Sequence, residues 1–287
     1  MIITIVAFIG VLAVLILAHE LGHLITAKAS GVRVEEFGLG FPPRLLSIRW
    51  GETLYSLNAI PLGGFTKMAG EEDPKMPGSL ASKSIGTRLL VLSAGSLMNA
   101  LLPLLLFSIA FMIPHNVVVG DIVVEEVVPN SSVAKAGLET GDIIISVDGR
   151  TLNNTAELNR YIYINLGKKI TMLVEHSDST RDEVQITPKW KPSPDDGTST
   201  ILFNMANSTT VRQSYPFWRA IPMGVGECIE TFILFKNGII SMIIGAIPVE
   251  VAGPVGIAQI TGEVAKAGIS PLLEFAAFLS INLAIIN

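Results

Sequence analysis

The sequence predicts a polytopic α-helical membrane protein with a β-hairpin loop and an inserted soluble α/β module. Three observations lead there. Of the 287 residues, 49% are hydrophobic and only 16% charged, with mean hydropathy +0.54, whereas a soluble domain carries about 25% charged residues. Two runs, Ile2 to Ile25 and Leu89 to Ile113, are apolar enough, and at ~1.5 Å per residue long enough, to cross a ~30 Å hydrocarbon core. Beyond Pro114 short alternating segments and turn residues replace them.

The remaining bulk properties exclude other classes. Net charge is −5 without a basic stripe, so the sequence expects no nucleic acid. The single Cys228 rules out an internal disulfide framework and reads as apolar filler on a helix.

A cleaved signal peptide needs a positive n-region, but no Lys or Arg precedes Lys28. The first run is therefore a retained transmembrane helix, about 2–25. It contains His19-Glu20-Leu21-Gly22-His23. On a helix, residues four apart share a face, so His19 and His23 present two imidazoles together. Two neutral imidazoles suit Zn²⁺, and Glu20 beside them is a candidate general base for a water. As a bare pattern this signal is weak. Its setting sharpens it, because three ionisable side chains in a hydrocarbon-suited segment are costly without a task or a partner.

From Lys28 to Arg88 the chain turns polar, with eight Lys/Arg against six Asp/Glu. By the positive-inside rule this loop is cytoplasmic and the N-terminus lies outside. Leu45 to Trp50 and Thr53 to Ile60 read as strands around Gly51-Glu52, and Pro61 to Met68 as a glycine-broken strand or bend. The pair is either an ordinary hairpin or an edge that an extended substrate could join. In the second run, Leu89 to Ile113, Ala94-Gly95-Ser96 permits close helix packing. Asn99 is an amide at membrane depth, wanting a partner on another helix or lining a cavity.

The module at 114–190 reads as a strand at Ile122 to Val128, a short helix at Ala134 to Leu138, and a strand from Ile143 meeting a hairpin signal at Asp148-Gly149. A helix follows at Thr155 to Leu166, then strands at Lys169 to Glu175 and Glu183 to Thr187. His115 and His176 in this part read as solvated polar residues. Residues 191–271 hold a linker at Lys191 to Thr200, a helix at Trp218 to Ile247 interrupted by Glu227, Glu230 and Lys236 that either spans the membrane or, the favoured reading, lies amphipathic at its interface, and a connecting segment. Gly253-Pro254-Val255-Gly256 reads as a break. A third apolar segment starts at Leu272 and reads as a helix cut part way, too short for a comfortable span, with two amides, Asn282 and Asn287.

Taken together these motifs resemble the site-2 proteases, specifically the bacterial type that cleaves membrane-anchored anti-sigma factors. Ala18 to His23 is similar to that family's zinc helix. Glu36 to Pro43 and Ala59 to Met68 resemble its cytoplasmic loop, which dips into the membrane as a β-hairpin. Ala94 to Asn99 resembles its second-helix motif, with Ser96 where the family often has proline, and Gly253 to Ile257 a further motif. Ala136-Gly137-Leu138, Gly141 to Ile144 and Val147-Asp148-Gly149 resemble a PDZ domain.

The resemblance implies an intramembrane endopeptidase with Zn²⁺ held by His19 and His23, and Glu20 as its base. The third ligand is expected to be the aspartate of a Leu-Asp-Gly motif beyond Asn287, after which a truncated third span would continue. Substrate contacts fall on Gly63, Gly64, Phe65, Asn99, Asn282 and Asn287. The implied substrates are single-span membrane proteins already trimmed by a site-1 protease, with the outer PDZ domain as a sieve. The implied location is the bacterial cytoplasmic membrane, multi-pass, with the active site near the cytoplasmic side. Two other readings stand beside it. One is a non-catalytic membrane PDZ scaffold, which the missing third ligand favours. The other is a peripheral metalloprotease, disfavoured because HExxH lies in the first span.

Overall fold

A computed structural model describes residues 2–127, 132–191, 202–248 and 253–287. The chain forms two compact units. The first comprises Met1–Ile113, Tyr215–Cys228 and Ala252–Asn287; the second comprises Pro114–Ser214 and Ile229–Val251. Among the described residues three helices are long and apolar enough to cross a membrane: α1 (Ile2–Ala29), α2 (Ile85–Met112) and α7 (Ile269–Ile286).

In the first unit α1 stops where Gly31 takes a left-handed φ of 66°. Ser84 caps α2, its side chain accepting from Thr87 N–H. α1, α2 and α7 share a core of Val11, Leu15, Leu106, Phe107, Ala276, Ala277 and Ile281. Leu89, Leu92, Leu101 and Leu105 of α2 stay exposed, as lipid-facing positions do. Between α1 and α2 run β1 (Val34–Trp50) and β2 (Thr53–Met68), which pair twice. Residues of β1 near Phe37 meet Thr66 on one side and Tyr55 on the other, while Ile48 pairs only with Tyr55. The expected simple hairpin around Gly51-Glu52 is thus the outer part of a doubled-back sheet, and Val34 to Phe41, for which no strand was expected, is its centre.

The second unit is built on an antiparallel sheet in the order β7-β6-β4-β3-β8, with β5 beside β4. Its strands are β3 (His115–Glu126), β4 (Ile143–Val147), β5 (Arg150–Thr151), β6 (Ile170–Glu175), β7 (Arg181–Ile186) and β8 (Leu202–Gln213). Helices α3 (Ser132–Lys135) and α4 (Thr155–Ile164) complete it. Because every pairing is antiparallel, this is an α+β arrangement, correcting the α/β expectation. The Asp148-Gly149 signal forms its turn with φ of 49° and 76°. The core is Ile122, Val124, Ile144, Val147, Leu158, Ile170, Met172, Val174 and Val184. β8 and the first half of β3 were not foreseen; both alternate exposed and half-buried positions without a strong apolar pattern.

His176 in this unit is partly exposed but is also paired. Its Nδ1 lies 2.7 Å from Oδ1 of the buried Asp142. Asp142 Oδ2 accepts the Glu139 N–H at 2.7 Å. The hydrogen bond to Asp142 raises the His176 pKa above its ordinary 6.5.

Two further expectations need correction. Gly253-Pro254 does not break the chain; Gly253 is the N-cap and Pro254 the first residue of α6 (Pro254–Ala267), a position where proline's missing N–H costs nothing. The third apolar segment starts at Ile269 rather than Leu272, which gives it 18 residues and the length of a span. The amphipathic helix forms as α5 (Phe217–Ile243), divided between the units after Cys228. The linker expected at 191–200 lies, beyond Lys191, outside the described residues.

Two tests follow for the second unit. Leu158→Ala should cost about 2–5 kcal/mol by opening a cavity in its core, read as amide exchange of β6 in the intact protein. Because folding favours protonated His176, its contribution is complete below pH 6.5 and fades as pH rises through the raised folded value. His176→Gln should flatten that pH dependence in the β6 opening free energies.

Candidate active site

Helices α1 and α2 meet at a glycine on each. A Cβ on Gly22 would collide with the main-chain oxygen of Ala94 and stand 3.0 Å from Met98 Cβ. A Cβ on Gly95 would lie 2.5 Å from His19 Nε2 and 2.6 Å from His23 Nε2. The small-residue patch of α2 therefore serves two purposes. It lets the backbones close up, and it leaves room for both imidazoles to lie against Gly95.

The two Nε2 atoms are 3.3 Å apart, with the rings edge to face at 4.9 Å. His23 Nδ1 sits 2.8 Å from the Val91 carbonyl. A carbonyl only accepts, so Nδ1 carries the hydrogen and Nε2 keeps its lone pair. His19 Nδ1 lies 3.4 Å from the Asn99 side-chain amide. Asn99 is buried, and its Oδ1 has no partner. Turning that amide over lets Oδ1 accept from His19 Nδ1–H, which satisfies the orphaned oxygen. The donor set and the cradle fit a borderline-soft cation such as zinc. Among the described residues no group of three or more His, Cys, Asp or Glu could hold a metal, so the site as described offers these two candidate donors.

Glu20 lies on α1 between the histidines in sequence and is met by β2. A Cβ on Gly64 would stand 2.9 Å from Glu20 Cγ and 2.7 Å from Ile16 Cγ2, so only glycine lets β2 lie against the helix here. Two residues on, Thr66 Oγ1 donates to Glu20 Oε2 at 2.8 Å. Thr66 was missed by sequence reasoning, since nothing local pairs a strand threonine with a helix residue forty-six positions away.

The other expected site residues are placed as follows. Phe65's ring covers Gly38, and Phe41's ring covers Gly63. Gly63 and Phe65 thus pack against residues of β1, while Gly64 lies against the α1 side chains of Ile16 and Glu20. On α7, Ser280 Oγ donates to the Asn99 carbonyl at 2.8 Å. Asn282 of α7 has a buried Oδ1 without a partner. Asn287 caps α7, its N–H donating to Leu283 O at 3.1 Å. No described contact joins Asn282 or Asn287 to the histidines. The segment Pro42 to Trp50 is exposed throughout, including Leu45, Leu46, Ile48 and Trp50, an apolar surface of the sort that meets lipid or a partner.

Because Gly95 touches both imidazoles, Gly95→Val should lower the melting temperature of the purified protein through an overpacking cost of about 1–3 kcal/mol. Leu97→Val, at an exposed position two residues away, should leave it nearly unchanged.

The profile of Peptidase family M50 matches residues 7–287. A candidate zinc metalloprotease of Clostridium perfringens is 33% identical over 278 residues, covering 95% of this chain and 79% of the relative. Zinc metalloprotease RasP of Geobacillus kaustophilus is 27% identical, covering 99% of this chain and 85% of its own length. Regulator of sigma-W protease RasP of Bacillus subtilis is 25% identical, covering 99% and 85%.

Proposed function

This chain belongs to Peptidase family M50, and from that premise we propose that it is a zinc-dependent intramembrane endopeptidase. The observation that carries the reading is the pair of Nε2 atoms 3.3 Å apart, held together against Gly95 on a helix apolar enough to span a membrane. His19 and His23 would hold the metal, with a further ligand supplied from outside this pair. Second-helix groups support the reading: the Val91 carbonyl and the Asn99 amide fix both imidazoles, as the outer partners of metal-bound histidines do.

When bound, zinc supplies a Lewis acid that polarises the scissile carbonyl and acidifies a water. The chain's own residues do the rest. Glu20 takes the proton from the attacking water and returns it to the departing amine. Gly64 brings the sheet against α1, so an extended peptide joining the sheet edge at 63–66 would lie beside Glu20. Such pairing is what a transmembrane substrate needs, because its carbonyls are engaged in its own helix until it unwinds. The exposed apolar residues of β1 suit insertion into the membrane surface. Asn282, with its unpartnered oxygen, and Asn287 are proposed to contact the unwound segment.

The substrates proposed are single-span membrane proteins of the anti-sigma-factor or signal-peptide-remnant type, pre-trimmed by a site-1 protease. The name of the B. subtilis relative, a regulator of sigma-W protease, supports the first class. The second unit is proposed to be a PDZ domain outside the cytoplasmic membrane that screens substrates by size. A non-catalytic membrane scaffold is the competing reading, favoured by the lack of a three-ligand group among the described residues.

Glu20→Gln decides between them. On the protease reading the full-length protein should lose about 10²–10⁴-fold in cleavage of a single-span substrate, with expression unchanged. Cleavage at the wild-type rate would assign the activity elsewhere, and absence of any cleavage or zinc in the wild-type protein would leave the scaffold. Replacing His19 or His23 by Ala should abolish zinc retention, measured by metal analysis after dialysis.

A further inference from the structure

We propose that Thr66 is a positioning residue for Glu20, holding one carboxylate oxygen so that the other is presented to water. The inference rests on the reading of Glu20 as the base. Its observation is the contact of Thr66 Oγ1 with Glu20 Oε2 at 2.8 Å, with the Glu20 main-chain oxygen at 3.2 Å.

A glutamate on a helix has three rotatable side-chain bonds, and an unpaired one samples several rotamers. A base must instead stand within hydrogen-bond reach of the proton that it takes. Here the restraint comes from a different element. Thr66 is fixed by its pairing with Phe37 in the sheet, and Gly64 on the same face of β2 sets how closely that strand approaches α1. The sheet thereby places a hydroxyl over the carboxylate from outside the helix. A threonine hydroxyl has one hydrogen to give. The shorter contact and the charged acceptor both direct it to Oε2. Among the described residues Oε1 receives no hydrogen bond, so it is the oxygen left for the water. No described hydrogen bond joins Thr66 to either histidine, and its role is exerted through Glu20.

The arrangement also couples sheet docking to the base. Whatever joins or displaces the edge at 63–66 shifts Thr66, and Thr66 shifts the carboxylate. A substrate strand adding to that edge would therefore tighten the geometry of the base that is to serve it.

The test uses the full-length protein in proteoliposomes with a single-span model substrate, and three variants. Thr66→Val keeps the shape and removes the hydroxyl; kcat should fall about tenfold, the worth of a hydrogen bond to a charged group, with KM and zinc content unchanged. Thr66→Ser restores the hydroxyl and should recover kcat to within about threefold of wild type. Infrared difference spectra of the metal-free protein supply a readout that needs no turnover. Thr66→Val minus wild type should show a displaced carboxylate stretch, absent when the same comparison is made on a Glu20→Gln background. Wild-type kcat in Thr66→Val, a Thr66→Ser as impaired as Thr66→Val, or an effect on KM alone would each overturn the proposal. Glu20→Gln retaining wild-type activity would instead overturn the reading of Glu20 as the base, which separates the two failures.

Discussion

The contact between α1 and α2 is the constraint on which the first unit depends. Each helix contributes a glycine whose missing side chain is occupied by the other: the Ala94 carbonyl against Gly22, and the imidazoles of His19 and His23 against Gly95. In lipid no hydrophobic force draws two helices together, so close backbone approach and interhelical polar contacts must do so. The His23 bond to Val91 O and the Asn99 contact to His19 are such contacts, made by the same residues that form the candidate site. Stability and chemistry thus share one seam, and a change there affects both.

Polar groups elsewhere in the apolar helices show how unusual that seam is. Ser108, Thr261 and Thr26 turn their hydroxyls back to carbonyls one turn earlier in their own helices, and Ser270 reaches the Ala110 carbonyl. These hydroxyls are satisfied, as a low-dielectric setting demands. The buried amide oxygen of Asn282 lacks a partner among the described residues. A group kept unsatisfied at such depth is retained at a cost, and it lies on α7, which meets α2 where Ser280 bonds the Asn99 carbonyl.

Much of this was legible in the residues. HExxH on an apolar run, the small patch at 94–96 and the Asp148-Gly149 turn are local patterns with local causes, and each took the expected form in the fold. What escaped detection was set by pairing across distance. Val34 to Phe41 holds Gly38 and Gly40 among its apolar residues, and it became a central strand because Thr66 and Tyr55 flank Phe37. Likewise β8 is largely exposed and carries little apolar alternation; its identity comes from hydrogen bonding to β3. The site divides the same way. The pairing of His19 with His23 follows from helix geometry, whereas Thr66 and the role of Gly64 emerge only when the sheet lies on α1. The short alternating segments beyond Pro114 marked the start of the second unit, yet periodicity could not tell parallel from antiparallel strands.

Gly64 carries one further implication, for how this chain can change over descent. Ile16, Glu20 and Gly64 occupy one small volume, with the Gly38 carbonyl 3.2 Å from any Cβ at position 64. Because Glu20 Cγ would still stand 2.9 Å from that Cβ, shrinking Ile16 would not by itself admit alanine at 64. The accessible substitutions are therefore ordered: position 16 can drift among residues no larger than isoleucine while 64 stays glycine, and no sequence of single steps frees 64 first. Variation among homologues should be read with that asymmetry in mind, as a lock on one side and latitude on the other.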